Sequence, residues 1–228
     1  MSITVLLARN FVRQNRWLLI AFVLWPFLLG AFEWSPHHSA DPETVAGLLR
    51  QEIFYGVVVV QFLASSAIYN EKRSRRIIGV LSKAVSRAEY LVGLLLACAV
   101  FALIYFGAVA ASLIWLVRYS TPLLVQCGTL MVCAVCAVLW AASLALLFST
   151  LLHPIAAASF AGAAAFAPFA LSHPSVILAP AAHLMEAAGS FATALHWKAL
   201  IAALAEAVAF LVCATQVFRS RDVTVNIE

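Results

Sequence analysis

The sequence predicts an all-α integral membrane protein with six transmembrane helices. Three observations carry that expectation: composition, the length of the apolar runs, and the one-sided placement of basic residues. Of 228 residues, 64% are hydrophobic and 11% charged, against about 45–50% apolar and about 25% charged in an ordinary soluble domain. Lipid is the solvent that fits this composition. Apolar runs cover residues 17–34, 53–67, 91–117, 122–148, 154–171 and 197–218, and the second reaches spanning length once its weakly polar flanks, 51–69, are counted. A crossing takes about 20 residues through about 30 Å of hydrocarbon, and every backbone polar group must be satisfied inside the segment, so each run is expected as a helix.

Orientation follows from Lys and Arg, which accumulate in cytoplasmic loops close to the membrane. Arg9, Arg13 and Arg16 precede the first run; Lys72, Arg73, Arg75, Arg76, Lys83 and Arg87 separate the second from the third; Arg219 and Arg221 follow the sixth. Eleven of the fourteen basic residues thus fall on one side, which predicts cytoplasmic termini. Arg50, Arg118 and Lys198 are left on or near the opposite face. Residues 33–52, with Glu33, Asp41, Glu43 and Glu52, are expected as an outer loop. The net charge of +4 is accounted for by basic loops that meet anionic lipid headgroups or an acidic partner surface, without nucleic acid. Cys98, Cys127, Cys133, Cys136 and Cys213 all fall within apolar runs and read as packing residues, not a disulfide framework. The first run is too long for a signal-peptide core and is expected to be retained as a span.

Taken in order, residues 1–16 place Ile3, Leu6, Leu7 and Phe11 at helical spacing beside Arg9 and Arg13, which predicts an amphipathic helix at the cytoplasmic interface. In the basic loop over 71–89, Ile77, Leu81, Ala84 and Val85 form an apolar stripe over a short helix ending near 82–85. Ser86-Arg87-Ala88-Glu89 then matches a capping box that opens the third span: the Ser86 hydroxyl accepts from the Glu89 amide while the Glu89 carboxylate reaches back. Residues 149–154 make a tight second bend, with Pro154 suited to a first helical turn. Ala158 and Gly162 form a small-x-x-x-small pair for close helix packing, within one bundle or across a dimer seam. Residues 172–195 are too apolar for a free loop, and Pro174, Pro180 and Gly189 break them into short helices dipping into the outer face.

Chemistry is sparse. There is no phosphate loop, no His-Glu-x-x-His zinc site and no Gly-x-Ser-x-Gly elbow, so catalysis is not expected of this chain and no cofactor or metal is assigned to it. The adjacent pair His37-His38 lacks a third ligand. Glu206, near the middle of the sixth span, is the ionisable residue that stands out. A carboxyl there faces the bundle interior or a watery path, either as a contact along a transport route or as a hydrogen-bonded structural group.

The run from Glu71 to Leu94 resembles the segment after the second span in permeases of the type-2 ATP-binding-cassette (ABC) family. Those permeases often read Glu-Arg-x-x-Gly and then Leu-Leu-Ser-x-Pro-Val-Ser-Arg-x-Glu-x-x-x-Gly-Lys. Glu71, Leu81-Ser82, Val85-Ser86-Arg87, Glu89 and Gly93 fall in register, whereas Arg75, Ala84 and Leu94 replace the early Gly, the Pro and the Lys. The resemblance implies that residues 1–228 form a single permease domain of an exporter in a cell membrane, the inner membrane of a bacterium. It implies a second permease copy or paralogue and a separate cytoplasmic ATPase that holds the ATP and Mg. The coupling contacts it assigns are Glu71, Ile77, Leu81, Ser82, Val85 and Arg87 in the first loop and Ser149 and His153 in the second. Residues 1–16 would be an elbow and 172–195 an outer gate; the mostly apolar spans favour a hydrophobic or amphipathic cargo. A haem-exporter permease of cytochrome c maturation and a non-transporting membrane scaffold are the alternative readings.

Overall fold

In the computed structural model, residues 3–33, 42–73, 85–117, 121–170, 175–177, 179–190 and 194–220 are described. Eight α-helices occur among them: α1 (Ile3–Gln14), α2 (Arg16–Glu33), α3 (Pro42–Arg73), α4 (Arg87–Val117), α5 (Thr121–Ser149), α6 (Pro154–Phe166), α7 (Pro180–Gly189) and α8 (Trp197–Ser220). No strand occurs among the described residues. Four helices, α3, α4, α5 and α8, are long and apolar enough to cross a membrane, and the bent pair α1–α2 makes a fifth candidate if it is counted as one span. The chain therefore reads as a membrane-integral helical protein.

The bend between α1 and α2 is 70° and has a local cause. Asn15 lies between the two helices, and its side-chain amide donates to the Phe11 carbonyl at 3.0 Å, where its own backbone amide also bonds at 3.2 Å. Such side-chain competition for backbone acceptors bends helices. Beyond the bend, α1 lays Ala8 and Phe11 against α4 and leaves Arg9, Arg13, Val5 and Leu6 outward. The packed stripe is thus rotated from the expected one, because Leu6 faces away from the bundle.

Helix α5 is the hub, touching α3, α4, α6, α7 and α8. Ala134, Ala137, Ala141, Ala142 and Ala145 along it are fully buried; small side chains let several helix backbones approach it closely where lipid supplies no hydrophobic drive for association. Around this hub, α2 and α8 keep wide apolar faces open, with Phe32 86% and Ile201 66% exposed. Those faces suit acyl chains.

Two boundaries differ from expectation. Helix α3 begins at Pro42, so Glu43, Arg50 and Glu52 are helical instead of belonging to an outer loop. Val45, Leu49, Ile53, Val57 and Val60 continue one buried stripe through that region, and Glu43 in the first turn complements the helix dipole. At the other boundary, α6 stops after 13 residues and passes into a 3₁₀ turn over Ala167–Ala170. Pro168, in that turn, cannot donate to an α-helical ladder. In the 172–195 segment the described residues include α7, a short helix buried along most of its length against α5 and α3.

Candidate functional site at the basic end

The C-terminal ends of α3 and α8, the N-terminus of α4 and the α5–α6 turn converge on one end of the bundle. Hydrogen bonds and ring contacts tie them together there. Ser86 and Glu89 form a complete capping box: the Ser86 amide and hydroxyl both donate to Glu89 Oε2 at 2.8 Å, and the Glu89 amide donates back to Ser86 Oγ at 3.2 Å. Two of the donors left over at the start of α4 are thereby satisfied. Val85, just before the box, is buried.

Arg87 reaches across 132 positions of sequence. Its Nη1 donates to the Arg219 carbonyl at 3.0 Å and also to the Phe218 carbonyl, while the guanidinium sits 5.5 Å over the Phe218 ring. Tyr90, one turn along α4, stacks on Phe218 at 6.2 Å. The last carbonyls of a helix carry partial negative charge, so a cation there satisfies orphan acceptors and complements the dipole. Arg87 therefore latches the start of α4 to the end of α8, a role that its place in a basic loop does not disclose.

The second bend is built from side-chain back-bonding: Ser149 Oγ to the Leu146 carbonyl at 2.8 Å and Thr150 Oγ1 to the Leu147 carbonyl at 2.7 Å. His153 precedes Pro154 in extended conformation and packs edge-on against Tyr69 at 5.2 Å, which brings this turn beside the last turns of α3. Leu151, Leu152 and Ile155 stand exposed on it. Helix α1 lies alongside. A Cβ on Gly93 would come within 3.1 Å of Leu7 Cβ and 3.3 Å of the Thr4 carbonyl oxygen, so the glycine lets α1 seat on α4. Glu71 lies in the final turn of α3, whereas Ile77, Leu81 and Ser82 lie outside the described residues, as do His37 and His38.

Deeper in the bundle, Glu206 is half-buried and accepts a hydrogen bond from Trp140 Nε1 at 2.7 Å, with Phe210 edge-on to the indole at 5.8 Å. This contact pins α8 to α5. Ala158 and Gly162 face α3 within the same chain, where Gln61 donates to the Ala158 carbonyl and crowds Gly162. A third polar contact went unrecognised in the sequence. Glu52, 4% exposed, takes a hydrogen bond from Tyr105, whose hydroxyl also reaches the Glu52 carbonyl at 3.0 Å. Its signal was available, since Glu52 and Gln61 sit on the apolar stripe of α3 instead of its exposed side. No group of three or more metal-ligating side chains occurs among the described residues.

No protein-family model and no curated protein matches the chain.

Proposed function

We propose that this chain is the membrane-spanning permease subunit of an ABC exporter, which transmits ATP hydrolysis by a separate ATPase into helix movement. The observation that carries the reading is the latch at the basic end. The loop resembling a coupling segment emerges at Val85–Glu89, and Arg87 there grips the end of α8, so a force on the loop reaches both α4 and α8, which pack on α5. The exposed Leu151, Leu152 and Ile155 beside His153 supply a second apolar contact.

In this reading the basic end lies in the cytoplasm, both termini with it. The α1–α2 pair acts as elbow and first span, and α6 with its 3₁₀ turn completes a six-span set in a bacterial inner membrane. The open face of α2 and the face of α6 that exposes Ile155 and Phe160 meet a second permease copy, and a hydrophobic or amphipathic cargo passes between the two. Glu206 either lines that path or serves only Trp140. Glu206→Gln keeps an acceptor for the indole, so a fall in transport with unchanged stability assigns it to the path.

The test is co-purification with a candidate phosphate-loop ATPase, sought first in the neighbouring reading frames, followed by ATP-dependent transport in vesicles. Stimulated ATPase activity that is lost on replacing Ile77 and Leu81 by Asp supports the reading. An ATPase that neither binds nor is stimulated overturns it, and leaves a scaffold.

A further inference from the structure

At the end of the bundle away from the basic loop, α3, α7 and the segment after α6 enclose a cleft of about 520 Å³, within the roughly 300–1,000 Å³ typical of small-molecule sites. One side is aromatic: Phe54, Phe166 and Phe169, with Phe54–Phe166 ring centroids 4.9 Å apart. The polar side holds Arg50 on α3 and, on α7, His183 and Glu186. Neither Arg50 nor Glu186 makes a side-chain hydrogen bond or ion pair among the described residues, although they line the same cleft from different helices.

Arg50 is unusual in two ways. It is a cation at the end of the molecule where few of the chain's basic residues fall, and membrane proteins avoid such charges on one face unless they are used. Its stem is also seated: a Cβ on Gly189, the last residue of α7, would lie 2.9 Å from Arg50 Cγ. Holding the arm against a helix end lowers the cost of ordering it around a ligand. Lys198, the other described basic residue at that end, lines a neighbouring cleft that shares His183.

We infer that this cleft binds a zwitterionic amphiphile of the phosphate-and-amine kind, its anionic group on Arg50, its ammonium on Glu186 and its hydrocarbon along the three phenylalanines. A guanidinium pairs with phosphate bidentately and a carboxylate with a primary ammonium, both by charge-assisted hydrogen bonds. Two side chains of opposite sign, unpaired among the described residues, over an aromatic wall match such a head and tail better than they match a plain anion, which Glu186 would repel. The inference stands whether or not the chain couples to an ATPase.

The probes are lyso-phosphatidylethanolamine, the same lipid with its amine acetylated, and inorganic phosphate, each titrated against the detergent-purified full-length chain by native mass spectrometry. The unmodified lysolipid should bind about tenfold more tightly than the acetylated one, and phosphate alone should not displace it. Glu186→Gln, at an exposed position, should erase that preference while leaving the acetylated lipid bound as before. Arg50→Gln should weaken both lipids about tenfold or more. Equal binding of the two lipids to the unaltered chain, or a preference that survives Glu186→Gln, overturns the inference and indicates ordinary annular lipid. Displacement by phosphate alone also overturns it, in favour of a simple anion site. Should Arg50→Gln fail to fold, the Glu186→Gln comparison decides the matter by itself.

Discussion

The two ends of the bundle handle charge in opposite ways. At the basic end Arg87 and Glu89 are consumed within the chain, one on the last carbonyls of α8 and the other on the Ser86 cap. At the far end Arg50 and Glu186 line a cleft together and bond to no other described residue. Charge that closes on itself fixes helix ends relative to one another, and charge left open is available to something outside the chain. The first arrangement suits the proposed transmission of movement between helices, and the second the inferred binding of a ligand.

That contrast can be broken by substitution, because the basic end should be sensitive and the far end indifferent. Gly93→Leu carries the largest expected effect. It forces α1 off α4, where the nearest obstacle includes the backbone of Thr4, and should cost about 2–3 kcal/mol, read as lower thermal stability in micelles and faster proteolysis within residues 1–16. Arg87→Ala comes next. Losing a charged donor shared by two carbonyls, on a half-exposed side chain, should cost about 1–2 kcal/mol and raise amide hydrogen exchange in the last turn of α8 but not at Glu206. Ser86→Ala removes the cap and should cost about 1 kcal/mol, with exchange increasing only in the first turn of α4. Smallest is Arg50→Gln, expected to stay within about 0.5 kcal/mol of the parent by the same melt. A loss at Arg50 as large as that at Arg87 would erase the distinction between the two ends.

What could be read from sequence divides along the range of the interactions. The helices themselves follow from uninterrupted apolar length, and the capping box from residues three apart, so both were legible. The start of α3 was not, because Glu43, Arg50 and Glu52 dilute its hydropathy although Val45, Leu49 and Ile53 keep the helical period. A stricter reading of that period would have placed Glu52 in the interior. The end of α6 was announced by Pro168, yet the apolar run continues past it. The partners of the candidate site were out of reach: Arg87 with the Phe218 carbonyl, Gln61 with Ala158 and Trp140 with Glu206 are 131, 97 and 66 positions apart. Nothing local distinguishes Arg87 from its basic neighbours. Its role depends on where α8 ends.

The contact between Tyr105 and Glu52 has a mechanical consequence. It joins α3 and α4 far from the loop that connects them, and Tyr105 lies 18 residues beyond Arg87, about 27 Å at 1.5 Å per residue. A pair of rods bolted near one end and linked at the other behaves as a lever with its fulcrum at the bolt. A tilt of about 5° there would carry the Arg87 end, with the α8 terminus it grips, through about 2 Å, as far as one element slides past another in many subunit rearrangements. Shortening that arm by moving the bolt toward Arg87 would leave the helices as firmly joined and shrink the stroke.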